Sequence, residues 1–273
     1  MLLTPPLPFY HATRIAQYGL ELHARWLESG SVQARDAFLS QANWLRDNQR
    51  TCAGIRGCYP HPLPWTVYGA NAGFLSAMTQ GEAISVLLRA YESTKDERFF
   101  CAAHTASGPF RSTVEQGGVV CVAGNDVYLE EAAVTPPAHI LNGWIYALFG
   151  LYELSTRGGE PALRDLFERS VQTLRRRLPL YDSGRWSYYS LLATRSGFRK
   201  LATLKYHAFH IAQLHVLASM TGDALFRATA ERWETYANSA TSKVCVWANA
   251  AAALLPHFVT HSDTVPGGAR SIV

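Results

Sequence analysis

Tyr206, His210 and Gln213 stand at i, i+4 and i+7 in a run of otherwise apolar character, so on a helix they share one face. A phenol, an imidazole and an amide in such surroundings need partners. Those partners are either a satisfied network between helices or a bound substrate. Other residues able to bind or to move protons sit in comparable contexts: Gln80 and Glu82, the adjacent Glu130-Glu131, and His139 with Asn142. Neighbouring carboxylates in an extended segment diverge, so at most one of Glu130 and Glu131 faces a common site. Paired-carboxyl glycosidase chemistry would need a second acid from elsewhere. His207-x-x-His210 offers two imidazoles but no third ligand at diagnostic spacing, so no metal is expected. A Ser/His/Asp arrangement stays open, although there is no Gly-x-Ser-x-Gly elbow. With neither a G-x-G-x-x-G turn nor a P-loop in the chain, no cofactor is expected.

The elements that must position these groups repeat one plan, an apolar helix, a short polar turn and a more charged amphipathic helix. The pairs are Ala12–Glu28 with Val32–Asn48, Ser76–Glu92 with Glu97–Thr105, Ala138–Leu154 with Ala162–Leu178, and Lys205–Met220 with Ala224–Asn238. Polar turns such as Ser93-Thr94-Lys95-Asp96 and Thr221-Gly222-Asp223 break one helix and cap the next. Aligned on one another, the apolar helices place isoleucines at 15, 84, 145 and 211, a period of roughly 60 to 70 residues. A helix that is apolar on most of its circumference must be covered on more than one side. Hairpins set in a ring satisfy that requirement. The fold class expected is therefore all-α, an incomplete (α/α) toroid of about four hairpins forming one domain over residues 1–273, with Trp144 and Tyr146 largely buried. The β-branched run Gly117–Tyr128 and the segment Ser187–Ser190 each read as a strand or hairpin, and residues 51–73 as a long connection of the same kind. All three precede an apolar helix, so they line one mouth of the ring. Helix N-termini there present unpaired N–H groups that favour an anion.

Composition narrows the classes. The 273 residues are 48% hydrophobic and 17% charged, with a net charge of +4, enough for one sizeable core and inconsistent with a disordered chain. The basic bias is diffuse, with Arg175-Arg176-Arg177 as its only run. A small anionic molecule or glycan is the partner expected, with no nucleic acid. No apolar run is long enough for a membrane span, and the proline-rich N-terminus lacks the basic region of a signal peptide. Five cysteines without a CxxC pair suit a reducing, cytoplasmic setting. A homodimer stays open.

Five runs in one order carry a resemblance: Ile15-Ala16-Gln17-Tyr18-Gly19-Leu20, Ser76–Ser85, Leu141–Tyr146 with Gly150–Leu154, Leu178–Gly184, and Tyr206-His207 with His210-Ile211 and Gln213-Leu214. Together they resemble the α-helical domain of the D-glucuronyl (heparosan) C5-epimerases. The family's β-rich domain, inserted between the first inner helix and its partner, has no counterpart here. The resemblance implies inversion at C5 of a uronic acid. One group removes the proton α to the carboxylate, an enolate-like dianion is held, and a second group returns a proton on the other face. By matching motifs, Tyr189 and Tyr206 fall on two family tyrosines and Glu131 on the family glutamate. A phenol needs a nearby cation or donor to act as a base near neutral pH, and Arg185, Arg195, His207 and His210 are available. Where the family reads Glu-Glu-Tyr-Pro this chain has Glu130-Glu131-Ala132-Ala133, and Leu192 and Thr203 stand where the family has arginines.

The catalytic set expected is Tyr206, Tyr189, Glu131 and His210, with Gln80, Glu82, His139, Asn142, Arg185, Arg195, His207 and Gln213 binding substrate. The leading activity is acid–base isomerisation at a carbon α to a carboxylate or carbonyl, with a hexuronic acid as first-choice substrate. Two alternatives remain open: a lyase, cyclase or isomerase acting on a smaller cytosolic metabolite in the same cavity, and a non-catalytic carbohydrate-binding protein.

Overall fold

The computed structural model describes residues 10–158, 160–193 and 199–244. Four helical hairpins follow one another: α1 (Ala12–Ser29) with α2 (Val32–Asp47), α3 (Ala77–Thr94) with α4 (Glu97–Ala106), α5 (Leu141–Gly158) with α6 (Pro161–Arg177), and α7 (Leu204–Thr221) with α8 (Ala224–Asn238). The starts have local causes: the side chains of Ser31, Ser76, Asp96, Thr203 and Asp223 each accept a backbone N–H of the first turn. Helix α5 begins at Leu141 rather than at the expected Ala138, because Ala138 and Ile140 are drawn into pairing with Leu191 and Ser190.

Among the described residues the inner helices form an open arc. Helix α3 packs against α1 and α5, α5 packs against α3 and α7, and among the described residues α7 does not pack extensively back onto α1. This is the incomplete toroid that the repeat implied. Helix α3 is buried on every side from Ala77 to Leu88. The end helices behave differently. Helix α1 buries Ala12, Ile15, Ala16, Gly19 and Leu22 but exposes Tyr18, and α7 exposes Val216; among the described residues each end of the arc has an inner-helix neighbour on one side only. Trp144 is fully buried as expected, whereas Tyr146 is only half-buried because it borders a cavity.

Helices α3 and α5 cross at glycines. A Cβ on Gly81 would lie 2.7 Å from Ala147 Cα, and one on Gly150 would lie 2.5 Å from Gly81 Cα. Backbone meets backbone there, with no room for a methyl group.

Each link from an outer helix to the next inner helix carries a two-stranded antiparallel pair: β1 (Arg50–Cys52) with β2 (Ile55–Cys58), β3 (Val120–Ala123) with β4 (Asp126–Leu129), and β5 (Tyr188–Ala193) with β6 (Arg199–Leu201). The links are joined to one another. Ala77 N–H donates to Glu130 O (2.8 Å), Ala133 N–H to Leu75 O (3.1 Å) and Leu191 N–H to Ala138 O (3.2 Å). The mouth is thus a continuous hydrogen-bonded rim. The basic run is consumed structurally, Arg175 pairing with Asp223, and Arg176 and Arg177 with Asp126. Among the described residues no helix is long and apolar enough to cross a membrane.

Overfilling the α3–α5 crossing should be costly. Gly150→Ala is expected to destabilise the protein by about 1–3 kcal/mol in urea denaturation, the usual penalty for an overpacked contact.

Candidate active site

A cavity of about 470 Å³ opens at the N-terminal ends of the inner helices, lined from α1 by Gln17 and Leu20 and from α3 by Met78 and Glu82. Helix α5 contributes Asn142 and Tyr146, α7 contributes Lys205, Tyr206 and Phe209, and Glu131 enters from the link after β4. The two ends of the arc, α1 and α7, therefore share one space instead of packing together.

Two carboxyls face this space. Glu131 is folded over the first turn of α5, where only glycine fits, since a Cβ on Gly143 would lie 2.5 Å from Glu131 Cβ. Its Oε2 is buried without a hydrogen-bond partner. Burial pushes the Glu131 carboxyl up to about 8, opposed by the Gly143 backbone amide and reinforced by the charge of Glu130. Glu82 lies one turn inside α3 and is 3% exposed. Gln17 Nε2 donates to its Oε1 (3.2 Å), and its Oε2 has no partner. Burial pushes Glu82 to about 8 as well, with Gln17 opposing the shift and the charge of Glu131 adding to it. At neutral pH both carboxyls hold protons, so each can donate a hydrogen bond to an anion.

Tyr206 is placed in the first turn of α7 by the Thr203 cap, whose Oγ1 accepts from Tyr206 N–H (3.3 Å). Tyr189 meets it edge to face with ring centroids 4.7 Å apart. Tyr189 does not line the larger cavity. It borders a smaller pocket of about 150 Å³ with Trp65, Tyr68, Lys200 and Tyr206, and burial drives its phenol far above the usual tyrosine range. Lys205, beside Tyr206, is the cationic side chain in the lining of the 470 Å³ cavity.

The imidazoles form a buried chain. His207 Nε2 lies 3.0 Å from the Trp233 carbonyl, which can only accept, so that nitrogen carries the proton and Nδ1 is a lone pair. Ser187 Oγ lies 2.8 Å from His207 Nδ1 and 2.8 Å from His210 Nδ1. Its hydroxyl must donate to His207, and His210 Nδ1–H must donate to Ser187. This leaves His210 Nε2 as a bare acceptor, buried and unpartnered. Burial lowers His207 to about 4 and His210 to about 3, with the charge of His207 as the second cause for His210. Neither imidazole is a cation near neutral pH, so neither supplies the positive charge expected beside a tyrosinate.

The residues singled out from sequence thus divide. Glu82, Glu131, Asn142 and Tyr206 converge on the cavity. Gln213 and His210 lie buried on α7, and Gln213 Nε2 donates to Asn142 O (2.9 Å). Gln80 is turned the other way: its amide donates to Gly57 O and Ala106 O and accepts from Tyr59 N–H, which satisfies it inside the core. His207 stacks on Trp186 at 3.7 Å and does not reach the cavity. His139 pairs with Glu130 (Nδ1 to Oε1, 2.5 Å) and stacks on Tyr128 at 3.8 Å. Arg185 is exposed and away from the lining, and Arg195 lies outside the described residues. Lys205, Gln17 and Tyr146 were missed; Lys205, next to Tyr206 in a first helical turn, was the one with a readable signal.

Cys121, Glu130 and His139 bring ligand atoms within 4.8 Å of one another, the one such grouping among the described residues. Its groups are already engaged. Both Glu130 oxygens are held by His139, and burial raises the Cys121 thiol to about 11, leaving it protonated.

The two raised carboxyls make stability depend on pH. The folded protein keeps protons that the unfolded chain releases above its ordinary glutamate value, so their contribution is complete below about pH 4.5 and is lost as pH rises through about 8. Glu82→Gln should flatten the fall in Tm between pH 5 and 9 and stabilise the protein at pH 9 by roughly 1–3 kcal/mol.

Three comparisons bear on this architecture. The family described as D-glucuronyl C5-epimerase C-terminus matches residues 57–235. The chain is 32% identical over 228 residues to the D-glucuronyl C5-epimerase of Caenorhabditis elegans, covering 77% of this chain and 36% of that protein. It is 29% identical over 171 residues to an uncharacterised protein of Methanocaldococcus jannaschii, covering 61% and 54% of the two. The chain thus spans about a third to a half of the length of these relatives. Among solved structures, cellobiose 2-epimerase from Spirochaeta thermophila aligns with a TM-score of 0.59 at 16% identity, over 82% of this chain and 57% of that one. Unsaturated glucuronyl hydrolase from Bacillus sp. GL1 aligns with 0.52 at 18%, over 86% and 61%. Those two likenesses speak for the shared toroid. With the rim, the cavity and the match over residues 57–235 in agreement, the chain belongs to the D-glucuronyl C5-epimerase C-terminal family.

Proposed function

We propose that this chain is an epimerase-type enzyme that inverts the carbon α to the carboxylate of a hexuronic acid residue. The observation that carries this reading is the convergence of two protonated carboxyls, a phenol and a lysine on one cavity. A hydrogen α to a carboxylate is a very weak acid, and its removal places a second negative charge on the carboxylate oxygens. Preorganised donors stabilise that charge in the transition state. Glu131, neutral and fixed against the first turn of α5, donates to a carboxylate oxygen, and Lys205 balances the charge. Tyr206 moves the proton at the reacting carbon. Asn142 Oδ1, unpartnered on a residue of the cavity lining, is an acceptor suited to a sugar hydroxyl.

The cavity volume lies in the range of small-ligand sites, so a short oligosaccharide or a free uronate fits it better than a long polymer segment. Incubation of D-glucuronyl oligosaccharides and of free uronate in heavy water, followed by NMR at the α-carbon, tests both. Wild-type protein is expected to exchange the α-hydrogen of at least one. Tyr206→Phe should lower that rate roughly 10²–10⁴-fold with an almost unchanged Tm, since a hydroxyl is lost from a half-buried side chain. Near-wild-type exchange by Tyr206→Phe would remove Tyr206 from the mechanism.

A further inference from the structure

Beside the main cavity of about 470 Å³ lies the chamber of about 150 Å³ that Tyr189 borders, and the two spaces share Tyr206. Their walls differ in kind. The lining of the main cavity includes three buried polar atoms without a partner, Glu82 Oε2, Glu131 Oε2 and Asn142 Oδ1, and so calls for a polar ligand. Among the described residues, no unpartnered buried polar atom belongs to the chamber. Its lining has no carboxylate, amide or guanidinium, the groups that hold sugar hydroxyls in pairs. Its one aliphatic hydroxyl is engaged in the α7 cap, where Thr203 Oγ1 accepts from Tyr206 N–H (3.3 Å). What remains is mainly aromatic and apolar. Trp65 and Tyr68, from the link between β2 and α3, meet edge to face with centroids 4.6 Å apart, as Tyr189 and Tyr206 do at 4.7 Å. The turn that carries the first pair is closed on itself, Trp65 N–H donating to Ala70 O (2.8 Å) and Ala70 N–H to Trp65 O (3.1 Å). These walls still have apolar surface to cover: Trp65 and Tyr68 are half-buried, and Val67 is 70% exposed. Lys200 is the cation of the lining, its Nζ 5.9 Å from the centre of the Tyr189 ring.

We infer that this chamber takes a single aromatic ring, and that the uronic acid on which the protein acts carries that ring on its anomeric oxygen. The assignment rests on the uronate reading proposed above. Size agrees with it, since an apolar cavity of about 150 Å³ holds a benzene ring. A pyranose with its hydroxyl groups is larger, and this lining would leave those hydroxyls short of partners. The shared Tyr206 sets the two spaces side by side, as a short glycosidic link requires. Burying the ring removes apolar surface from water, and the Lys200 ammonium adds an attraction for its face. The substrate class is thus an aryl uronide. A uronic acid whose neighbour is another sugar gains nothing from these walls.

Phenyl β-D-glucuronide and methyl β-D-glucuronide differ only in the group on the anomeric oxygen. Titration calorimetry of each against the full chain reads what the ring contributes, and NMR in heavy water reads exchange of the α-hydrogen. The phenyl compound is expected to bind roughly 10–100-fold more tightly than the methyl one, the usual effect of burying an apolar group of that size. Trp65→Ala should remove most of that preference. Lys200→Met, a change at an exposed side chain that spares the fold, should reduce it roughly 2–5-fold. Equal affinity of wild-type protein for the two compounds would overturn the assignment, as would a preference that both variants keep in full. Exchange of the α-hydrogen without a ring preference would overturn the chamber's role and leave the uronate reading standing. A ring preference without exchange in either compound would uphold the aromatic site and overturn the uronate reading, with the substrate class built on it. Wild-type protein that binds neither compound would overturn both.

Discussion

The contact between α3 and α5 governs the rest of the molecule. At Gly81 and Gly150 the two helices touch backbone to backbone, which draws the second and third hairpins together and leaves the first and fourth to flank them. Glu82 follows Gly81 directly, and Tyr146 lies one turn before Gly150, so the residues beside the tightest contact are the ones that reach the cavity. A side chain at the crossing would separate the helices and widen the space in which any proton transfer has to occur.

The rim imposes a second constraint. Each link donates or accepts backbone hydrogen bonds with the next, so the loops are fixed relative to one another although they come from distant parts of the chain. Glu131 belongs to this rim and is pressed against Gly143. Burying a carboxyl without a cation is unfavourable when it is ionised, and the molecule meets that cost by keeping Glu82 and Glu131 protonated. Away from the cavity the acids are treated in the opposite way. Asp126, Asp223 and Glu153 are each met by arginine, as in the bidentate Arg89–Glu153 pair between α3 and α5. The contrast between acids paired with arginine elsewhere and the unpartnered oxygens of Glu82 and Glu131 sets the cavity apart from the rest of the molecule.

Helix order, helix ends and the open toroid were legible in the sequence because the repeat, the capping residues and the apolar periodicity are local properties. Which residue types crowd the mouth was also legible, since Glu82, Glu131, Asn142 and Tyr206 precede or open inner helices. Direction was not. Gln80 and Glu82 are two residues apart on α3 and so point to nearly opposite sides, one into the core and the other into the cavity. Tyr206 and His207 diverge in the same way, and the identity of the neighbour on each side depends on how hairpins pack.

The sequence by itself determined an all-α chain of repeated helical hairpins with titratable residues gathered at one end of the inner helices, because spacing and caps are encoded within single elements. Only the tertiary structure decided that Tyr189 packs against Tyr206, that Lys205 lines the cavity and that Glu82 and Glu131 share it. Those facts depend on the approach of α3 to α5 and on the distances between helices far apart in the chain, and no local pattern carries that information.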